Sequence, residues 1–550
     1  MKIDLLFINA NVLTLDNANR RAGSVAVAEG KIVGIWEAAQ PPKDAIGISP
    51  QTGVVDLQGA TLLPGFIDTH NHILMYGQTL EMVNCSSSAN KTIRDVLEAI
   101  GKKAKETQDG QWVQGFGYDD TMILEKRHIT REDLDQVSPN NPVSISHVSG
   151  HLSYVNSVAI QMAGLTDDIS DPQGGYFGRD DKGRLNGVLY EAAAMEPLRR
   201  IMPQVTVEDM LNSLNIASKE YVAQGITTNS DAAVFGLEDF EAHLKASRLR
   251  TNPMRTQLMV MHHLLREGTP YGGYTSEQLD REIKERSNGW AKLDSAKLFQ
   301  DGSIQGLTGA LRDAYYKNPD TYGEFIHPQE AFNEEVLDLH RRGFRLATHG
   351  NGDRAIGSIL EAYESALLKH PRTNHRHRIE HVQTATASDI KKMAALGVAG
   401  SFFINHVYFW GDRHRQIFLG PERARRISPL AEAAEHNLLF TLHSDCPITP
   451  ISPLFSVWAA VNRITRDGDI LGSEQRIDVV TALKSMTIYG ARLNFDEKVS
   501  GSIELGKQAD FVVLEADPTK VNPIEIKDIT INSTYIDGKP VYMKDTVRTV

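Results

Sequence analysis

Two histidines one residue apart, His70 and His72, close the segment Leu63-Pro-Gly-Phe-Ile-Asp-Thr-His-Asn-His72. On an extended backbone, side-chain direction repeats every two residues, so both imidazoles face one way and can share a cation. The pair alone is weak evidence for a metal site. Its setting strengthens it, because it ends an apolar run after Pro64-Gly65, where a parallel barrel carries its chemistry. Further ligand types end later apolar runs in chain order: Lys297 in Lys-Leu-Phe-Gln-Asp-Gly, His349 after Arg-Leu-Ala-Thr, His381 after Arg-Ile-Glu, and Asp445 in Leu-His-Ser-Asp. Singly, each has a structural explanation: a hydrogen-bonded histidine, a lysine paired with a carboxylate, an aspartate shaping the turn before Pro447. As an ordered set at barrel strand ends they point to a shared metal site.

Elements that would position such a set are legible around it. Short β-type runs at 62–69, 225–230, 256–261, 296–300, 344–348, 377–380, 398–404 and 438–442 are followed sooner or later by helical periods. Phe332, Val336 and Leu339 recur at helical spacing, as do Ile356, Leu360, Tyr363 and Leu367. The expected class is α/β, a (β/α)8 TIM-type barrel over 61–494. The interval from about 74 to about 224 is too long for one crossover, so an insertion subdomain at about 75–220 is expected over the barrel mouth after the first strand. Residues 1–60 and 495–550 both read as short strands divided by Asn, Gly and Pro, and are expected to close on each other as one composite β-domain.

The 550 residues exceed one ordinary domain, and 41% hydrophobic with 23% charged residues is the balance of a folded globular chain. A formal charge of -12 without clustered Lys and Arg excludes general nucleic-acid binding. A small-molecule substrate is the expectation. No apolar run reaches membrane-spanning length, the first ten residues are interrupted by Asp4 and Asn9, and Cys85 and Cys446 form no framework. These features predict a cytoplasmic protein with no membrane partner.

In combination the motifs resemble the amidohydrolase superfamily, and within it the YtcJ-like and N-substituted formamide deformylase-like branch (amidohydrolase family 3). They are Leu63-Pro-Gly-Phe-Ile-Asp-x-His-x-His72, Lys297-Leu-Phe-x-Asp-Gly-Ser303, His349-Gly-Asn-Gly-Asp353, Arg378-Ile-Glu-His381, Ser444-Asp-x-Pro447 and Gly501-Ser-Ile-Glu-x-Gly-Lys-x-Ala-Asp510. The resemblance spans nearly the whole chain and implies a barrel with a composite β-sandwich from both termini. It implies that His70, His72 and Asp445 hold one metal and His349 and His381 a second, bridged by a carbamylated (carboxylated) Lys297 in a binuclear centre. A plain structural Lys297 beside a single metal is the alternative. Zinc suits imidazole and carboxylate-type donors, with iron, cobalt or manganese as substitutes.

By the same resemblance Asp445 is the catalytic proton carrier in hydrolysis of a non-peptide carbon–nitrogen bond, an amide or N-substituted formamide. The aromatic stretch Phe402, Phe403, Tyr408, Phe409 and Trp410 points to an apolar or aromatic substituent. His151, Asn405, His406, Tyr118 and Phe402 are the candidate substrate contacts, with Glu191 as a further one. His443 is a candidate orienter of a ligand, and Cys446 is not expected to be a nucleophile. Deamination or opening of a cyclic imide or lactam on the same site is the alternative reaction, and a non-catalytic regulatory or ligand-binding protein the alternative class. Relatives of this kind often form homodimers, for which the sequence marks no interface.

Overall fold

The computed structural model describes residues 2–42, 47–148, 150, 152–172 and 175–544. Eight parallel strands form one sheet: β1 Phe66–Asn71, β2 Ile226–Val234, β3 Arg255–Met261, β4 Ala291–Phe299, β5 Leu346–Gly350, β6 Arg378–His381, β7 Ala399–Phe402 and β8 Phe440–Leu442. Each strand pairs with its successor, so sheet order follows chain order. Between β8 and β1 the seam is closed by isolated bonds: Asp445 N–H donates to the His70 carbonyl at 3.2 Å and His72 N–H to that of Cys446 at 2.8 Å. The Thr69 and Thr441 hydroxyls meet across it at 2.8 Å. The expected TIM-type α/β barrel is the fold found.

Helices between the strands follow from their apolar stripes and caps. Gln329–Arg341 buries Phe332, Val336 and Leu339, and Asp353–Lys369 buries Ile356, Leu360 and Tyr363. Thr275 and Thr386 open the helices Ser276–Arg286 and Ala387–Leu396 with reciprocal side-chain caps to Gln278 and Asp389.

The run at 62–69 is two strands rather than one. Thr61–Pro64 joins a six-stranded sheet containing N-terminal Asn11–Leu13 and C-terminal Phe511–Leu514 and Ile531–Ile536, while the chain after Gly65 enters the barrel. Gly65 N–H donates to Asp510 O at 2.9 Å, and a Cβ there would fall 2.2 Å from Thr227 Oγ1, so only glycine passes the corner. A second sheet of Leu5–Ile8, Ser24–Ala28, Lys31–Trp36 and Gly53–Asp56 supplies Phe7, whose ring meets Phe511 and Tyr535 edge-on at 5.4 and 5.0 Å. Sequence ends 500 residues apart thus share one apolar core.

Residues 74–216 form a separate compact unit. Its six-stranded mixed sheet includes Val113–Tyr118 and Val143–His147, backed by the helix Ile93–Glu106 through Ile93, Val96 and Ile100. Among the described residues no helix is long and apolar enough to cross a membrane.

Candidate metal centre

The residues singled out in the barrel converge at the C-terminal ends of its strands. His70 and His72 end β1 on one face, and their Nε2 atoms lie 3.3 and 3.2 Å from Asp445 Oδ1. Asp68, two residues earlier, is not a ligand candidate by geometry. Its Oδ1 accepts the His70 N–H at 3.2 Å and its Oδ2 the Ser444 hydroxyl at 2.7 Å, fastening the Asp445 turn to β1. Burial raises the Asp68 carboxyl to about 6.

His349 and His381 end β5 and β6, with His349 Nδ1 3.0 Å from His381 Nε2. Strand alternation would send His381 outward with Ile379, but its φ of 70° breaks the alternation and brings its ring within 4.9 Å of that of His70. Asp445 is also left-handed, with φ 52°. Such backbone in non-glycine residues costs of order 1 kcal/mol and gathers at functional sites. His349 Nε2 lies 3.1 Å from Gly302 O; donating its proton there leaves the Nδ1 lone pair for the centre. Its loop is pinned by Asp301, whose oxygens accept the N–H groups of Asn351, Gly352 and Ala310 at 3.0, 2.7 and 2.9 Å.

Lys297 stands on β4, beside Ala347 of β5, fully buried, and among the described residues its Nζ has no hydrogen-bond partner. Burial pulls its ammonium down to about 8, against the opposing pull of Glu380 and Asp445. Burial also pulls the His349 imidazole down to about 3 and lowers that of His381, so both are neutral, the form that ligates.

This donor set fits a cation. Ligands about 2.0–2.1 Å from a tetrahedral ion lie about 3.3 Å apart, the spacing of Asp445 Oδ1 from both Nε2 atoms. His70 Nδ1 is 2.6 Å from Glu380 Oε2, so its proton goes to that carboxylate and Nε2 turns a lone pair toward the Asp445 oxygen. Two acceptors that close call for a proton or a cation between them.

His443 lies deeper in the cluster, with Nε2 3.1 Å from His381 Nδ1, Nδ1 2.8 Å from Ser401 Oγ, and its ring stacked on that of His70. Ligand atoms of His70, His381 and His443 lie within 4.8 Å of one another, as do those of His70, His72 and Asp445. His406 is buried with its ring 6.5 Å from that of His381 and 4.1 Å from Phe403, and burial pulls its imidazole down to about 3.

Asn405 is occupied in the core, donating to Thr449 Oγ1 at 2.9 Å and accepting from Ser456 Oγ at 3.2 Å. Phe402 lies opposite Ser401 in the pleat of β7 and packs edge-on against Phe440 at 5.9 Å; Phe403 is the ring that stacks on His443, at 5.4 Å. Tyr118 is buried in the 74–216 unit with its hydroxyl donated to Arg127 O at 2.6 Å. Glu191 opens the helix Glu191–Arg199 of that unit. His151 lies outside the described residues. Burial pushes the Cys446 thiol up, which removes thiolate chemistry.

The sequence motifs alone give Glu380 no role. Its signal was present: Arg378 and Glu380 are charged residues at strand spacing in a segment buried throughout.

A family model described as "Amidohydrolase family" matches residues 53–542. The chain is 28% identical to the protein YtcJ of Bacillus subtilis (strain 168), over 97% of this chain and 98% of that protein. It is 29% identical to the N-substituted formamide deformylase of Arthrobacter pascens, over 97% of each. An uncharacterized metal-dependent hydrolase from Pyrococcus horikoshii OT3 shares the fold, with a TM-score of 0.76 over 94% of this chain and 99% of that one at 23% identity.

Proposed function

This chain belongs to the amidohydrolase family, and from that premise we propose that it hydrolyses the carbon–nitrogen bond of N-substituted formamides or related non-peptide amides that carry an apolar or aromatic substituent. The observation that carries the reading is the meeting of His70, His72 and Asp445 with His349, His381 and the buried amine of Lys297 at one end of the barrel.

His70, His72 and Asp445 would hold one cation and His349 and His381 another. Lys297 would bridge them as its carbamate, for which an amine lowered to about 8 supplies the neutral form that takes up carbon dioxide. Zinc is the cation that this donor set favours, and when bound it supplies hydroxide at neutral pH and polarises the substrate carbonyl.

Asp445 does the proton work. Its carboxylate would take a proton from the attacking water as the new C–O bond forms. It returns that proton to the amine nitrogen as the C–N bond breaks, so an N-substituted formamide yields the free amine and formic acid, which releases its remaining proton to water as formate. The carboxylate ends as it began. Phe403 and Trp410, buried beside His406, give one side of the site the apolar character that the substituent requires.

A panel of N-substituted formamides, N-acyl amines, lactams and amino-heterocycles tests the reading. Formate release from the first class is expected. Ammonia release from amino-heterocycles alone would replace it with deamination.

A further inference from the structure

A line of buried charges runs through the barrel interior and ends on His70. Arg345 Nη2 lies 2.6 Å from Asp294 Oδ1, and Arg378 Nη2 is 3.2 Å from the same oxygen. Arg378 Nε donates to Glu380 Oε1, and Glu380 Oε2 lies 2.6 Å from His70 Nδ1. The signs alternate along the line: plus, minus, plus, minus. Arg378 and Glu380 are wholly buried, and Asp294 and Arg345 are 5% and 7% exposed. Asp294 stands where β4 skips register, between Leu293 opposite Leu258 and Ser295 opposite Met259.

Arg378 also donates from Nη2 to the Thr69 carbonyl at 3.3 Å. It therefore reaches the backbone one residue before His70 while gripping the carboxylate that meets the His70 ring. Burying four ions costs several kcal/mol each before pairing, and apolar side chains of similar volume often fill a core at equal or better stability. Packing alone does not account for such a line. Its terminus does.

We propose that Glu380 is the positioning residue of His70, and that Arg378, anchored through Asp294 to Arg345, holds Glu380 in that task. The carboxylate accepts a hydrogen bond from Nδ1–H, which fixes Nε2 as the lone-pair nitrogen and aims it at Asp445 Oδ1, 3.3 Å away. This rests on the reading above that His70 is a metal ligand. It adds that ligand geometry is set from inside the barrel, by residues that touch neither metal nor substrate.

The test uses the full-length protein stripped of metal, titrated with zinc against a chromophoric chelator and, separately, loaded with cobalt(II) for its visible spectrum. Glu380→Gln strands the Arg378 charge and endangers the fold. The double variant Arg378→Met/Glu380→Leu removes both charges and leaves the Asp294–Arg345 pair intact. Thermal unfolding of each metal-free variant reports whether it folds. The expected result is a folded double variant that binds zinc about 10–100-fold more weakly than wild type, with an altered cobalt spectrum. Wild-type affinity and an unchanged spectrum in a folded variant would overturn the proposal while leaving the functional reading standing. Failure of both variants to fold would overturn it too, by assigning the line a structural role. A wild-type protein that binds neither ion would remove the functional reading first, and this proposal with it.

Discussion

Asp445 is joined to His70 twice: its amide N–H donates to the His70 carbonyl across 3.2 Å, and its Oδ1 stands 3.3 Å from His70 Nε2. The backbone bond helps close the barrel between β8 and β1, and the side-chain approach forms the centre. Closure and site assembly are one arrangement.

Asp445→Asn separates the two. Asparagine tolerates the left-handed backbone and keeps the amide bond, so the fold should hold. Loss of the carboxylate should lower kcat on an N-substituted formamide by about 10³-fold. Steady-state kinetics beside thermal unfolding check this. Near-normal turnover would remove Asp445 from proton transfer.

Lys297→Met should act in opposite directions on activity and on metal-free stability. A lysine lowered to about 8 from its ordinary 10.5 costs stability at every pH below 8, and the cost fades as pH rises from about 8 toward 10.5. Metal-free Lys297→Met should therefore be more stable than wild type at pH 7, by up to about 3 kcal/mol, and by less than about 1 kcal/mol near pH 10. Thermal unfolding at the two pH values measures this. With zinc present the variant should lose activity and bind fewer ions, whereas unchanged zinc content and rate would make Lys297 structural.

The barrel was readable because buried parallel strands are apolar runs between helical periods. The misplacements have particular causes. The 62–69 run concealed a change of sheet at Gly65, marked only by Pro64-Gly65. β4 begins at Ala291, five residues before the expected run at 296–300, because Lys292 and Asp294 disguise its start. In the centre, residue types and order were legible, but the left-handed turns at His381 and Asp445 were not, since strand alternation predicts the opposite face for His381. The same alternation separates Phe403 from Phe402, a distinction that composition cannot make. Glu380 went unassigned because a charge in a buried strand shows its partner only when the strands are assembled.

Acid stability should depend on Asp517, which accepts from Arg21 Nη1 at 2.7 Å, Asn11 Nδ2 at 3.0 Å and its neighbour Thr519 Oγ1 at 2.6 Å, tying the two termini. Burial raises its carboxyl, but these bonds outweigh that and draw it down to about 2. A carboxyl lowered in the folded state stabilises fully above its unfolded value near 4, and that stabilisation disappears as pH falls from about 4 to about 2. Asp517→Asn should cost about 1–2 kcal/mol at pH 7 and almost nothing at pH 2. Unfolding curves at both pH values decide it, and an equal loss at each would contradict the assignment.

Formate release from an aryl- or alkyl-substituted formamide, followed as zinc is restored to chelator-stripped protein, tests whether this centre hydrolyses the bond. Formate and amine should appear in equal amounts, with a rate that rises with bound zinc and saturates when the centre is filled. Turnover that persists in the stripped protein, or a fully loaded protein that releases no formate, would contradict the account.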